Sequence, residues 1–440
     1  MRQRLHFLFL NIGHFLDHLF MLIFATVAAL ALSRDWGMSY DELIPYATPG
    51  FIAFGIFSLP AGWIADRWSR QGMMAVFFIG SGLTAMLATL ATGPMQLAIC
   101  LFISGMLAAI YHPVGLALVV EARQKTGMAI AINGVFGNLG VASAALITGY
   151  FIDHGGWRGA FFWPGIISAA LGIIYLALYW RQILGRPQSF PAGGPGRDGK
   201  PATGGEAERD DAERAEAGAV ASASAAPGRP GRPGRHEAIA TTAGLIRIMA
   251  IVLFTTAVGS MIFQATTFAL PKVLVERLSG ISGSATFIGA MAFVVFAVAS
   301  MAQLIVGSLL DRLGPRPVFM SLAAIQVVFF ALMPGISDWL AVIVAAGFMV
   351  GAFGQIPIND YMIGRLVSSQ WRASIYGARF VVAFSVLAAT LPFIAWVHHR
   401  WGFDVLFMLL SGAAAGIMIA VSLLPRRLLA PVTLSQQAAE

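Results

Sequence analysis

An all-α membrane protein, with twelve transmembrane helices in two pseudo-symmetric six-helix bundles, is the fold this sequence predicts, on three observations. Of its 440 residues 58% are hydrophobic and 11% charged, a balance that cannot give a soluble fold a wettable surface. Twelve apolar stretches are long enough, at about 20 residues each, to cross a bilayer. A motif also recurs: Gly62-Trp63-Ile64-Ala65-Asp66-Arg67 returns as Gly307-Ser308-Leu309-Leu310-Asp311-Arg312, each Gly, Asp and Arg displaced by 245 positions.

The candidate spans fall near 7–32, 43–65, 71–92, 95–121, 127–152 and 158–182, then 245–271, 284–310, 316–334, 339–364, 373–397 and 403–425. All are expected to be helical, because a strand with free edges would leave peptide groups unpaired in lipid. Pro45, Pro49, Pro60, Pro113, Pro164, Pro357 and Pro392 fall inside spans and predict kinks. The first stretch imitates a secretion signal, with Arg2, Arg4 and Ala29-Leu30-Ala31. It is too long for one, and it carries His14, Asp17 and His18, so it reads as the first helix.

Residues 184–243 break the pattern. They are rich in Gly, Pro, Ala, Arg and Glu, and such a composition cannot bury enough apolar area to offset the entropy of ordering. The expected organisation is therefore an N-terminal bundle at 1–183, a disordered cytoplasmic linker at 184–243, a C-terminal bundle at 244–428 and a tail at 429–440.

Orientation follows from the basic residues. With both termini inside, the inner segments hold Arg2, Arg4, Arg67, Arg70, Arg123, Lys125, Arg312, Arg316, Arg365, Arg372, Arg426 and Arg427, against Arg34, Arg158, Lys272, Arg277 and Arg400 outside. The positive-inside rule places both termini in the cytoplasm. This asymmetry accounts for the net charge of +7 without nucleic acid as a partner. Cys100 is the single cysteine, so no intrachain disulfide forms. The absence of an Asn-x-Ser/Thr sequon fits the inner membrane of a bacterium.

The repeated loop, Gly-x-x-x-Asp-Arg followed by another basic residue, resembles the signature of the major facilitator superfamily, with Ser69 where that family usually carries Gly. The resemblance implies a secondary transporter whose halves are parallel repeats with a binding site between them near mid-membrane. The pair Asp153-His154 ahead of Trp157 and the pair His398-His399 ahead of Trp401 extend the duplication to whole bundles. The resemblance also implies a conformational latch. Asp66 and Asp311 would each face a helix N-terminus of the other half, where peptide N–H groups favour negative charge; Arg67 and Arg312 belong to the same latch motif, and Arg70 would pair with Glu121.

Ionisable side chains inside the spans are costly and mark function. Counting from Arg4 at 1.5 Å per residue, His14 lies about 15 Å deep and Asp17 about 20 Å; His112 lies about 16 Å from the same surface. His14 and His18 share a helix face with Asp17 beside them. Pro113 is expected to free the Ala109 carbonyl and make a polar pocket around His112, whose imidazole can exchange protons near neutral pH. Asn133, Asn138, Gln264, Gln303 and Asn359 are expected to hydrogen-bond in the cavity, and Asp360 and Arg379 to pair between the tenth and eleventh spans.

A narrower resemblance rests on Tyr111-His112-Pro113, Gly127-Met128-Ala129 and Asn133-Gly134-Val135-Phe136-Gly137-Asn138-Leu139-Gly140. These look like the fosmidomycin-resistance branch of the superfamily, which exports drugs, with Val114 where that branch commonly carries Glu. The expected protein is thus a monomeric, proton-coupled exporter or antiporter of a small organic solute, working in membrane lipid without a cofactor. Alternatives are an importer of an organic anion, a divalent-metal transporter using His14, Asp17, His18 and His112, or a membrane-embedded enzyme. No Walker A, GxSxG or HExxH motif supports the last, and no metal ligand set is assigned.

Overall fold

The computed structural model describes residues 2–121, 126–184, 242–366 and 369–424. Every element among them is helical. The N-terminal half comprises α1 (Arg2–Val27), α2 (Thr48–Arg67), α3 (Arg70–Ala88), α4 (Pro94–Ala108, continued through a π-helical turn at Tyr111–Gly115 into Leu116–Glu121), α5 (Thr126–Gly155) and α6 (Arg158–Ile183). The C-terminal half comprises α7 (Thr242–Arg277), α8 (Ala285–Leu313), α9 (Pro315–Leu332) and α10 (Asp338–Gly354 and Ile356–Leu366). A last helical stretch, Ser369–Ser422, breaks at Gly402, where φ is 75° and ψ −174°. Only glycine adopts that conformation readily, and it divides the stretch into α11 (369–401) and α12 (403–422). Among the described residues eleven segments are long and apolar enough to cross a membrane; the last of them contains this break, which agrees with the twelve spans expected.

The prolines act in two ways. Pro60, Pro164 and Pro392 lie within helices, where kinks are expected, and so does Pro271. Pro45 and Pro49 instead start helical segments, and Pro357 stands at the start of the second part of α10, sites where the missing N–H is no loss. Pro113 falls inside the π-helical turn of α4, a local widening that often accompanies functional sites.

Helices meet through small residues, as packing within lipid requires. A Cβ at Gly140 would strike the Phe15 backbone on α1, and one at Gly105 would strike Gly50 on α2. The halves meet similarly: a Cβ at Gly149 on α5 would collide with the Ala285 carbonyl of α8, and one at Gly289 on α8 with the Ala145 carbonyl of α5. The ends of α4, α10 and α12 and the start of α5 lie on the membrane face that carries Asp66 and Asp311, called here the end face. There Arg247 and Arg316 donate to the Leu423 and Ser422 carbonyls at 2.7 Å each, completing the C-terminus of α12. Most of the 184–243 segment, like the 429–440 tail, lies outside the described residues.

Candidate functional site

Three helices of the N-terminal half bring the predicted ionisable residues together. One turn of α1 carries His14, Asp17 and His18 toward His112 in the widened turn of α4. Ring centroids lie 4.9 Å apart for His14 and His18, 5.5 Å for His14 and His112, and 5.6 Å for His18 and His112. Asp17 is fully buried, and its Oδ2 lies 3.4 Å from His112 Nε2. That contact falls short of a well-formed hydrogen bond, and neither carboxylate oxygen has one among the described residues. The His112 side chain keeps 35% of its surface exposed, so it stands between the hidden carboxylate and open space.

The surrounding hydrogen bonds fix the tautomers. His14 Nδ1 lies 2.8 Å from the Asn133 carbonyl on α5; a carbonyl only accepts, so Nδ1 carries the hydrogen. In neutral His14 the Nε2 lone pair is then free to accept, and His18 Nε2, at 3.1 Å, donates to it. The His14 ring also stacks on Tyr111, centroids 4.9 Å apart and planes 19° apart. Tyr111 donates to the Leu10 carbonyl at 2.7 Å, and the Asn133 amide donates to Tyr111 Oη at 2.9 Å and to Asn11 Oδ1 at 3.0 Å. Gly137 makes room for this arrangement, since a Cβ there would stand 2.7 Å from His14 Nε2.

Other predicted residues go elsewhere. Asn138 donates to Gln303 Oε1 at 3.1 Å, joining α5 of one half to α8 of the other. Asn359 accepts from Thr255 at 3.2 Å, linking α10 to α7, and Gln264 is half-buried on α7. Asp360 and Arg379 fall outside the described side chains. On the end face, Asp66 accepts from Arg70 at 3.0 and 3.2 Å, and Arg70 lies 3.8 Å from Glu121. Arg67 lies over the Trp63 ring, and Asp311 and Arg312 are exposed on α8. The expected meeting of Asp66 or Asp311 with a helix N-terminus of the other half lies outside the described contacts. The starts of α11 and α5, which adjoin residues 367–368 and 122–125, carry side chains that are not described.

An acid does face a helix N-terminus across the halves, but on the opposite face. Asp153, at the end of α5, accepts from Ser284 Oγ at 2.6 Å, from the Thr286 N–H at 2.8 Å and from the Ala285 N–H at 3.1 Å, all at the start of α8. On the same face Asp41, ahead of α2, meets α11: its carboxylate lies 2.7 Å from His399 Nδ1 and 3.5 Å from His398 Nδ1. His398 Nε2 reaches Glu276 at 3.2 Å, and Tyr40 donates to the Phe268 carbonyl at 3.2 Å. Sequence reasoning used Asp153 and His398-His399 only as marks of duplication and missed their contacts. It also left Tyr111 and Asn11 without a role, as it did the buried bond of 2.5 Å from Gln355 to Gln326.

Comparison with known proteins agrees with this architecture. A gallate transporter of Pseudomonas putida is 26% identical over 154 residues, 34% of this chain and 33% of the relative. A probable actinorhodin transporter of Streptomyces coelicolor is 30% identical over 155 residues, 33% of this chain and 26% of the relative. The 4-hydroxybenzoate transporter PcaK of Pseudomonas putida is 25% identical over 150 residues, 34% of each. The chain thus spans about a third or less of the length of these curated relatives. The family model described as the Major Facilitator Superfamily matches residues 10–300, well over half of the chain. With its helices in two halves, the chain is a multi-pass membrane protein that belongs to the Major Facilitator Superfamily.

Proposed function

We propose that this chain is a secondary active transporter that exports a small organic solute in exchange for protons, its two six-helix halves rocking about the seam between them. The observation that carries the reading is the fully buried Asp17 carboxylate, 3.4 Å from a half-exposed His112. A carboxyl group buried inside a membrane span is costly and marks function. In this reading the proton enters and leaves it past the partly exposed side chain of His112. The relatives' names include gallate, 4-hydroxybenzoate and actinorhodin transporters and a puromycin resistance protein of Streptomyces alboniger, beside probable hexose phosphate transport proteins, and of these we take aromatic organic solutes as the class. The resistance-type relative and the likeness of the N-terminal half to the fosmidomycin-resistance branch favour export. In this reading the end face and both termini lie on the cytoplasmic side of a bacterial inner membrane, which the distribution of basic residues supports, and the protein works as a monomer.

The test uses purified protein in proteoliposomes with labelled gallate, 4-hydroxybenzoate and puromycin. A pH gradient is expected to drive one of them uphill. Asp17→Asn is expected to abolish that accumulation while leaving exchange of solute for solute. Uphill transport by Asp17→Asn at the wild-type rate would remove Asp17 from coupling, and movement of none of the three under any gradient would overturn the solute class.

A further inference from the structure

The cluster of three imidazoles has a property that proton exchange does not require. One ligand-type nitrogen from each of His14, His18 and His112 can be chosen so that all lie within 4.8 Å of one another. The Nε2 atoms of His14 and His18 are already 3.1 Å apart. Two nitrogens bound tetrahedrally to zinc at 2.0–2.1 Å stand roughly 3.3 Å apart, so this pair needs almost no movement. His14 is also held as a metal-binding histidine commonly is, with Nδ1–H bonded to a backbone carbonyl and the Nε2 lone pair pointing into the cluster. The ring is clamped by Tyr111 on one side and by the bare backbone of Gly137 on another.

A second observation points to a cation. Asp17 is 0% exposed, and its two oxygens lack hydrogen-bond partners among the described residues, yet Oδ2 lies beside the same His112 Nε2. A dication among the three rings would be offset by this carboxylate, while the exposed side of His112 leaves a coordination position open. Three imidazoles with an adjacent carboxylate and no thiolate suit a borderline first-row ion, zinc foremost. We infer that His14, His18 and His112 form a binding site for a single zinc ion, with Asp17 supplying the compensating charge. His18 joins by moving its hydrogen from Nε2 to Nδ1, which leaves its charge unchanged.

The experiment is titration of the purified full-length protein with zinc by calorimetry and with cobalt by visible absorption, after His154→Ala and His399→Ala remove two exposed imidazoles. One ion per chain is expected, with cobalt giving the intense bands of a tetrahedral site. His14→Ala, His18→Ala and His112→Ala should each weaken binding by about tenfold or more, and Asp17→Asn should weaken it without changing the stoichiometry. Gly137→Ala keeps every ligand and tests the geometry by displacing the His14 ring; it too should weaken binding. Size-exclusion profiles identify any variant that fails to fold. Binding that is indifferent to both Gly137→Ala and His14→Ala, or no binding at all, would overturn the site. Neither result bears on Asp17 and uphill transport, so the two readings fail separately.

Discussion

Two seams join the halves on the face opposite the chain ends, and they occupy equivalent places in the repeat. Position 153 lies 245 residues before 398, and position 41 lies 245 before 286. In one seam a carboxylate at 153 takes the N–H groups at 285 and 286; in the other an imidazole at 398 meets a carboxylate at 41. The acid has changed sides. Deeper in, Gly149 and Gly289 let α5 and α8 touch backbone to backbone, whereas their counterparts at 245 residues' distance are Ile394 and Ile44, both fully buried. The duplicated scaffold thus yields one seam closed by backbone contact and a capping carboxylate, and one lined by side chains and closed by imidazole–carboxylate contacts. We propose that the first acts as a pivot and that the second parts.

The glycine seam offers the largest effect. Leucine at 289 would put a branched side chain where a Cβ alone collides with the Ala145 carbonyl, and overpacking costs about 1–3 kcal/mol or more. Gly289→Leu is expected to lower the melting temperature steeply and reduce the folded yield. Ile394→Val removes one methylene from the other seam and should cost only about 0.5–1.5 kcal/mol. Equal losses in the two variants would erase the distinction between pivot and padding.

Asp153 comes next. Its three acceptor contacts act as an N-cap supplied by the other half, and loss of such a cap costs about 0.5–2 kcal/mol. A change of one or two kcal/mol moves a two-state ratio about 5–30-fold. Spin labels at Thr92→Cys and Ser337→Cys, exposed on this face in separate halves, in a Cys100→Ser background, report the gap by pulsed dipolar spectroscopy. Asp153→Ala should populate the long distance by that factor. An unaltered distance distribution would show that the acid caps α8 without holding the halves.

The second seam should respond to pH where the first does not. His398 is flanked by Asp41 and Glu276, Lys272 lies 3.4 Å beyond Glu276, and His399 shares Asp41. Burial raises the Asp41 and Glu276 carboxyls, but the hydrogen bonds that Asp41 takes from its own backbone and His399, and Glu276 from His398, hold both below their ordinary range, so the seam is closed at neutral pH and should loosen as pH falls through that lowered range. Partly exposed pairs of this kind contribute about 1 kcal/mol each, which predicts a several-fold change in the same label distances. Asp153, held at about 2 by a hydroxyl and peptide N–H groups, keeps its charge over that range. His398→Gln with His399→Gln should flatten the response; a slope that survives both changes belongs to some other group.

These seams show why the sequence was legible in some places and silent in others. Helices were readable because lipid forces backbone bonding within a segment, and apolar runs therefore reveal spans one by one. The meeting of α1 and α4 was readable because His14, Asp17 and His112 are rare inside a membrane and lie at one depth. The tautomers of the cluster were not, since they depend on Asn133 presenting a carbonyl from a third helix. Nor was the inter-half role of Asp153, because an acid near a helix end looks the same in sequence whether its N–H partners lie nearby or 131 to 133 residues away. The repeat of 245 indicated that the two positions correspond. It could not indicate that the acid had moved from one side of the seam to the other.

The smallest effect belongs to the end face, where the repeated Asp-Arg motif sits. Asp66 is about half exposed and accepts from Arg70 within its own bundle, so its bond there does not join the halves. An exposed carboxylate near a helix N-terminus is worth about 0.3–1 kcal/mol, at most about a fivefold change in population. We therefore expect Asp66→Asn to shift the end face only slightly toward opening, and Asp66→Asn with Asp311→Asn somewhat further. Labels at Ser69→Cys and Leu313→Cys, one in each half, measure it in the Cys100→Ser background. A shift as large as that from Asp153→Ala would mean that Asp66 finds its decisive partner in the other half, at the start of α11. The two faces of the protein would then be latched by the same device, an acid set against a helix N-terminus, once near each end of the pivot.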